Sequence, residues 1–409
     1  MHARSLIRGA GACLLAVMVG CDLDVSHPGV IDADTFDPVQ DAYVLSMSAQ
    51  QNFYTSYATL VNSTALYSGE IWTGAVRQES NDIARRAIVD TNIDLNSTFW
   101  APLQLAIATN DEVVRVLRDA PDFSSNLNVA RSSMWAGFAL TLMGEIFCQG
   151  VINVGPPLTP AQTLDEAIAR FQRAIDIASG LSGAEAAKIL NASRVGLARA
   201  YLQKGELQNA VSAATAVPAD FVANAIYVDD PQSRGRTGNT VYSTSAGNTQ
   251  IVAEAYRELD DPRVPYADAG TNAQDGRNRL YRQQKYTSFA SPIRVASGLE
   301  ARYIIAEAEL KMGSTASALA LIAERRAVGG QPEFTGTGTD EILAELMDQR
   351  ARDFWLEVKH LGDYLRNPSA TPYVPAQGTP YYKPEQGNFG PMTCLEVPFV
   401  EKANNPNFN

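Results

Sequence analysis

Apolar side chains recur at helical spacing through most of this 409-residue chain, and the places where that rhythm fails are as informative as those where it holds. A polar-apolar helical pattern runs from residue 38 to about 65. A long helix is predicted over residues 98–119, with Leu103, Ile107 and Val114 among its apolar positions. Between them lies a loop-like stretch, residues 66–87, which holds Trp72 among polar residues. From residue 126 a repeat emerges. Gly137 and Gly144 lie seven apart, as do Ala198 and Gly205, with Ala210 five further on; Ala306, Gly313 and Ala318 copy that spacing. This is the skeleton of a tetratricopeptide-like helix pair. A small residue lets the partner helix approach, a glycine ends the first helix at positive φ, and the next alanine packs back.

The first unit is interrupted by residues 149–162, and its second helix is predicted to restart at Thr163-Leu164-Asp165-Glu166 as a capping box. Ala167, Phe171 and Ala174 then fall at the small-aromatic-small positions. Residues 225–296 break the pattern and are rich in Gly, Ser, Asn, Thr and Tyr; a segment this long without periodicity is usually functional or poorly ordered. Helix returns near Ser297 and again over 339–365, and residues 367–409 read as a long coil. The predicted fold is mainly α, built of tetratricopeptide-like pairs with irregular insertions. Trp100, Trp135 and Trp355 sit within apolar helical patterns and are expected in the core.

The N-terminus adds a compartment. Arg4 and Arg8 precede an apolar run, Gly9 to Gly20, that stops at Cys21. Its 12 residues fall short of the roughly 20 needed to span a bilayer, so residues 1–20 read as a lipoprotein signal and Cys21 as the lipidated residue. Residues 22–37 read as an extended arm, and 21–409 as a single mature domain. Loss of residues 1–20 removes two arginines and no acid, taking the formal charge from −12 to −14. Such a surface repels phosphate backbones, so no nucleic acid is expected as a partner. Cys148 and Cys394 remain in the mature body; in an oxidising compartment they suggest one disulfide, with two buried free thiols as the alternative.

Chemistry is constrained by scarcity. Only His27 and His360 survive processing, no HExxH or G-x-S-x-G motif exists, and no phosphate-binding glycine loop appears. Asp229-Asp230 and Asp260-Asp261 lack calcium-loop spacing. No metal, no cofactor and no catalytic residue is assigned.

Five stretches together carry a family resemblance. They are the mature N-terminus (CDLDVSHPGVIDADTF), FWAPLQLAIATND, and KYTSFASPIRVASGLEARYIIAEAELKMG with Glu300 six residues before Ala306-Glu307-Ala308. The others are QRARDFWLEVKHLGDYLRNP, which keeps Arg350, Asp353, Glu357, Asp363 and Arg366, and the C-terminal CLEVPFVEKANNPNFN. In their order and spacing these resemble the SusD/RagB family of outer-membrane nutrient-binding lipoproteins. Gln349 and Val358 depart from the usual Glu and Gly, and His360 stands where Arg is common.

The resemblance implies a non-catalytic, lipid-anchored cell-surface protein. It would capture an oligosaccharide, or sometimes a peptide, for a SusC-like TonB-dependent transporter. It also implies ligand contacts in the segment after the first helix, where Trp72 is followed by Arg77, Asn81 and Asp82. Trp72 is the first expected stacking platform, with a loop tryptophan plugging an apolar gap as the alternative; Tyr242, Tyr281 and Tyr286 come second, and Tyr256 and Tyr266 rank lower. Arg77, Arg85 and Arg86 form a basic cluster in sequence. The competing readings are a tetratricopeptide-like protein-interaction module and a glycan-cleaving enzyme using two carboxylates.

Overall fold

Where apolar positions recur at helical spacing, helices form. The computed structural model describes residue 37 and residues 39–408, so the expected signal, Cys21 and residues 22–36 of the arm lie outside the described residues. Pro38–Asn409 cluster as one compact unit. The chain passes through α1 (Ala42–Ser68), β1 (Ile71–Thr73) and α2 (Gln78–Ala84) before a π-helical turn (Leu95–Trp100) opens α3 (Ala101–Val116). Then come α4 (Leu127–Ile146), α5 (Pro160–Ser179), α6 (Ala184–Lys204) and α7 (Leu207–Thr215), each packed on the next.

The non-periodic region is not coil. It contains β2 (Val222–Ala225), α8 (Arg234–Thr237), α9 (Thr240–Ala246), β3 (Gln250–Val252), α10 (Glu254–Arg257), β4 (Tyr266–Asn272), β5 (Arg279–Gln283) and β6 (Ile293–Ser297). The strands form antiparallel ribbons β1–β3, β2–β6 and β4–β5. The helical stack resumes with α11 (Gly298–Lys311), α12 (Ala316–Val328) and α13 (Thr339–Asp353), followed by α14 (His360–Arg366) and α15 (Phe399–Asn404). Because α11 packs directly on α7, residues 216–297 leave the stack between two successive pairs and return to it.

The repeat positions act largely as their chemistry requires. A Cβ on Gly137 would lie 2.8 Å from the Phe171 ring and one on Gly196 only 2.3 Å from it, so α4 and α6 both close on that ring. Gly205 (φ 80) and Gly313 (φ 97) follow the ends of α6 and α11 in the left-handed region. Ala198, Ala210, Ala306 and Ala318 are buried, as are Trp100, Trp135 and Trp355. Two details differ from the sequence reading. Gly144 does not end its helix but lies inside α4 against Leu164 of α5. The box that starts α5 is Thr159 and Gln162, with reciprocal bonds of 2.9 and 3.2 Å, whereas Thr163 lies buried in the first turn. Pro160 at the first helical position decides between the two, because its fixed φ suits a helix start and its missing N–H is not needed there.

The helix expected over 339–365 breaks after Asp353. Leu356 (φ 58) and Val358 (φ 54) take left-handed conformations that branched side chains avoid. Donors from elsewhere hold the bend. The Asp353 carbonyl accepts from Arg294 (2.6 Å), Trp355 from Lys285 (2.6 Å), Leu356 from Tyr286 Oη (3.0 Å), Glu357 from Tyr57 Oη (3.0 Å) and Val358 from Arg199 (2.8 Å). Its charged side chains are paired as well. Glu357 takes Lys285 and Arg294, and Lys359 Nζ donates to both Glu300 oxygens at 2.8 and 2.9 Å. A disulfide joins Cys148, just after α4, to Cys394 in the C-terminal coil, and Cys148 N–H donates to the Leu395 carbonyl (2.9 Å).

Candidate functional site

The β1–β3 register sets Trp72 opposite Ile251 and Thr73 opposite Gln250. Side chains alternate along a strand, so the ribbon presents Thr73 and Gln250 to one side and Trp72 and Ile251 to the other. On the Thr73 side lies a cavity of about 340 Å³. Its walls come from the C-terminal half of α1 (Thr59, Asn62), from Thr73, Arg77 and Ser80 after that helix, from Asp94 and Thr98, and from Thr240 and Thr244 of α9.

Two features define its chemistry. The Arg77 side chain is 56% exposed yet anchored, donating from Nη2 to Asp94 Oδ1 at 2.7 Å, while Ser80 Oγ donates to Asp94 Oδ2 at 3.3 Å. The single carboxylate of the wall is thereby engaged by its neighbours, and its charge is balanced within the site. Gln250 is 3% exposed, and neither its amide nitrogen nor its amide oxygen has a partner among the described residues. Leaving such a group unmatched costs about 1–3 kcal/mol, so it gains if a ligand supplies one donor and one acceptor. An amide, a guanidinium–carboxylate pair and several threonine hydroxyls suit a neutral ligand dense in hydroxyl groups.

Trp72 lies on the opposite side. Its ring stacks on Tyr382 at 4.4 Å and 9°, and the Arg257 guanidinium sits 5.8 Å from its centre. It also packs on the small apolar cluster of Ile251, Ala273 and Leu280. The half-buried ring therefore fills a gap beneath the β4–β5 ribbon and is not an open platform on the cavity. Tyr281 shares this neighbourhood, with Arg257 4.0 Å from its ring and Tyr266 edge-on at 6.1 Å.

The other sequence candidates scatter. Asn81 is buried; its amide donates to the Arg77 carbonyl (2.7 Å) and its oxygen accepts from Tyr381 Oη (3.3 Å), which makes it a brace behind Arg77. Asp82 pairs with Arg85 (2.8 Å) and accepts from Gln78 (2.8 Å). Arg86 is buried and donates to the carbonyls of Gly390 and Pro375, so Arg77, Arg85 and Arg86 do not form one basic patch. Tyr242 is half-buried, edge-on to Phe289, at a separate hollow of about 260 Å³. Tyr286, 4% exposed, uses its hydroxyl to hold the 354–359 bend while its side chain lines the same hollow as Tyr242, and Tyr256 is buried. Asp230 bonds Ser233 (2.9 Å), and Asp261 is closed by Arg263 and Arg352. Among the described residues no group of His, Cys, Asp or Glu could hold a metal ion, and no helix is long and apolar enough to cross a membrane.

Sequence reasoning missed Gln250, Asp94 and the α9 threonines. Nothing in the local string around Gln250 marks it; only its pairing with Thr73 brings it to the wall.

The sequence matches no family model and no curated protein. Solved structures do match. A SusD superfamily protein from Parabacteroides distasonis aligns with a TM-score of 0.69 at 14% identity, over 91% of this chain and 98% of that one. A SusD-like carbohydrate binding protein from Bacteroides vulgatus aligns with a TM-score of 0.70 at 13% identity, over 91% and 97%. Surface glycan-binding protein A from Bacteroides uniformis aligns with a TM-score of 0.69 at 12% identity, over 90% and 98%. The chain, with its tetratricopeptide-like stack and its excursion between helix pairs, has the fold of the SusD superfamily.

Proposed function

We propose that this chain is a cell-surface binding protein that captures a neutral oligosaccharide in the Gln250 cavity and passes it to a SusC-like TonB-dependent transporter. The observation that carries the reading is the buried, unpartnered Gln250 amide on a wall of threonine hydroxyls beside the Arg77–Asp94 pair. Vicinal sugar hydroxyls offer the paired donor and acceptor that a planar amide requires. The fold supports the same class, because two similar structures are described as a carbohydrate binding protein and a surface glycan-binding protein. A carrier needs no reacting group, and the one carboxylate of the wall is occupied. The Gly20-Cys21 boundary supports attachment through a lipid on Cys21. In this reading Arg77 contacts the ligand, Trp72 and Tyr382 stiffen the ribbon that carries Thr73, and Asn81 fixes the backbone of Arg77.

Calorimetry against neutral glycans, acidic glycans and peptides tests the ligand class. Neutral oligosaccharides should bind, and Arg77→Ala should weaken that binding about tenfold, as loss of a charge-assisted hydrogen bond implies. Binding confined to peptides would overturn the assignment. Mass spectrometry of the mature N-terminus should find acylated Cys21.

A further inference from the structure

A second hollow, about 280 Å³, lies between α3 and α5 and shares no lining residue with the Gln250 cavity. Four arginines line it, Arg115, Arg118, Arg170 and Arg173, against two acids, Asp111 and Glu112. Helical spacing assembles them. Arg115 is on the last turn of α3 with Arg118 three residues on, and Arg170 and Arg173 are three apart on α5, so each pair shares a face. Asn153, held at φ 56 in the connection from α4 to α5, completes the rim.

The acids do not balance the arginines evenly. Arg170 forms the fixed floor, donating side-on to both oxygens of Asp111 at 3.0 and 2.8 Å and from Nη1 to Glu166 at 2.5 Å. Arg115 is closed by Glu112 within its own helix. Arg118 and Arg173 are left over: among the described residues neither guanidinium has an ion pair or a hydrogen bond. Burial disfavours the charge of half-buried Arg173 most, and Arg170 and Arg118 add repulsion that Asp111 and Glu166 only partly offset. Two unmatched cations beside a third are a local exception in a molecule of net charge −12. Folding gains nothing from that arrangement, since like charges at this helical spacing repel.

A tetrahedral oxyanion would resolve it. Each guanidinium offers parallel N–H donors that match two oxygens of such an anion, and two guanidiniums match its double charge. We infer that the α3–α5 hollow binds a phosphate group, free or on a lipid headgroup, through Arg118 and Arg173 above the Arg170–Asp111 floor.

The test uses the full chain carrying Cys21→Ser, so that no acyl anchor contributes to membrane contact. Inorganic phosphate is titrated by calorimetry in chloride buffer, and cosedimentation compares vesicles of phosphatidylcholine with and without phosphatidic acid. The paired substitutions Arg118→Ala with Arg173→Ala, and Arg118→Gln with Arg173→Gln, remove the charge; the glutamines keep most of the packing, and circular dichroism checks the fold. Saturable phosphate binding that weakens at least about tenfold in both pairs supports the inference with free phosphate as ligand. Cosedimentation with phosphatidic acid vesicles alone, lost in both pairs, supports it with the headgroup as source. Oligosaccharide affinity should be unchanged in either pair, which separates this site from the Gln250 cavity. Absence of binding to both probes, or binding undiminished in the variants, would overturn it.

Discussion

The bend between α13 and α14 and the cavity beside α1 are both crowded with polar groups, yet they use them in opposite ways. At the bend, the carbonyls of Asp353, Trp355, Leu356, Glu357 and Val358 each accept from a side chain, and Glu357 and Lys359 each have a charged partner. At the cavity, Gln250 has no partner and Arg77 is more than half exposed. Both regions contain ionised groups, so charge alone does not mark a site. The bend's carbonyls and charges fix the fold, although Trp355 Nε1 there also has no partner among the described residues; what sets Gln250 apart is that its unmatched amide lines a cavity.

The largest effect is expected at the bend. Glu300→Ala leaves Lys359 buried without its carboxylate and Arg199 with one of its two carboxylate partners, Glu145. Burial already lowers the Lys359 pKa to about 8 against the pull of Glu300. Denaturant unfolding should show a loss of about 3–5 kcal/mol. A loss below about 1 kcal/mol, the usual value of an exposed pair, would mean the network is not a structural element.

Next in size is the disulfide. Replacing Cys148 and Cys394 by serine releases a crosslink between residues 246 apart and should cost roughly 2–4 kcal/mol, read by the same unfolding experiment. The oligosaccharide affinity of the folded fraction should be unchanged, because neither cysteine lines the cavity.

A titration sharpens the contrast between closed and open polar groups. Glu70, after α1, accepts the Leu356 N–H (2.9 Å) and the Ser68 hydroxyl (3.1 Å), and burial pushes its pKa up to about 7 from 4.5. Between those values the folded protein keeps a proton that the unfolded chain has released, so the Glu70 contribution falls as pH rises. His360 runs the other way. Burial lowers its pKa from 6.5 to about 4, so on acidification the unfolded chain takes up a proton that the folded protein refuses, and stability falls. The two oppose each other between about pH 4.5 and 6.5. Glu70→Gln should gain up to about 3 kcal/mol over wild type between about pH 4.5 and pH 8, as measured by unfolding across that range. A pH-independent difference would contradict the raised pKa.

Much of the stack was legible in the sequence because small-residue spacing reports close helix approach directly, as Gly137 and Phe171 illustrate. The bend was not. Leu356 and Val358 carry no local signal for positive φ, and their conformations depend on donors from residues 57, 199, 285, 286 and 294. The family pattern does mark the spot, since Val358 stands where glycine is usual and glycine takes positive φ without strain. Strands as short as Ile71–Thr73 and Gln250–Val252 give too few residues for a period-two signal. The segment after the first helix, singled out in the sequence as a region, supplies Thr73, Arg77 and Ser80 to the cavity. Trp72 lies on the other side of the ribbon from that cavity, because strand alternation turns a side chain away from the side its neighbour faces.

The smallest expected effect is also the most discriminating. Calorimetric titration of Gln250→Ala with the neutral oligosaccharide that binds wild type tests whether the open amide is the recognition element. A loss of about 1–3 kcal/mol in binding free energy is expected, with unfolding stability unchanged or slightly raised, since an unpartnered buried amide has been removed. Wild-type affinity in that variant, or a loss of stability in place of a loss of binding, would contradict it.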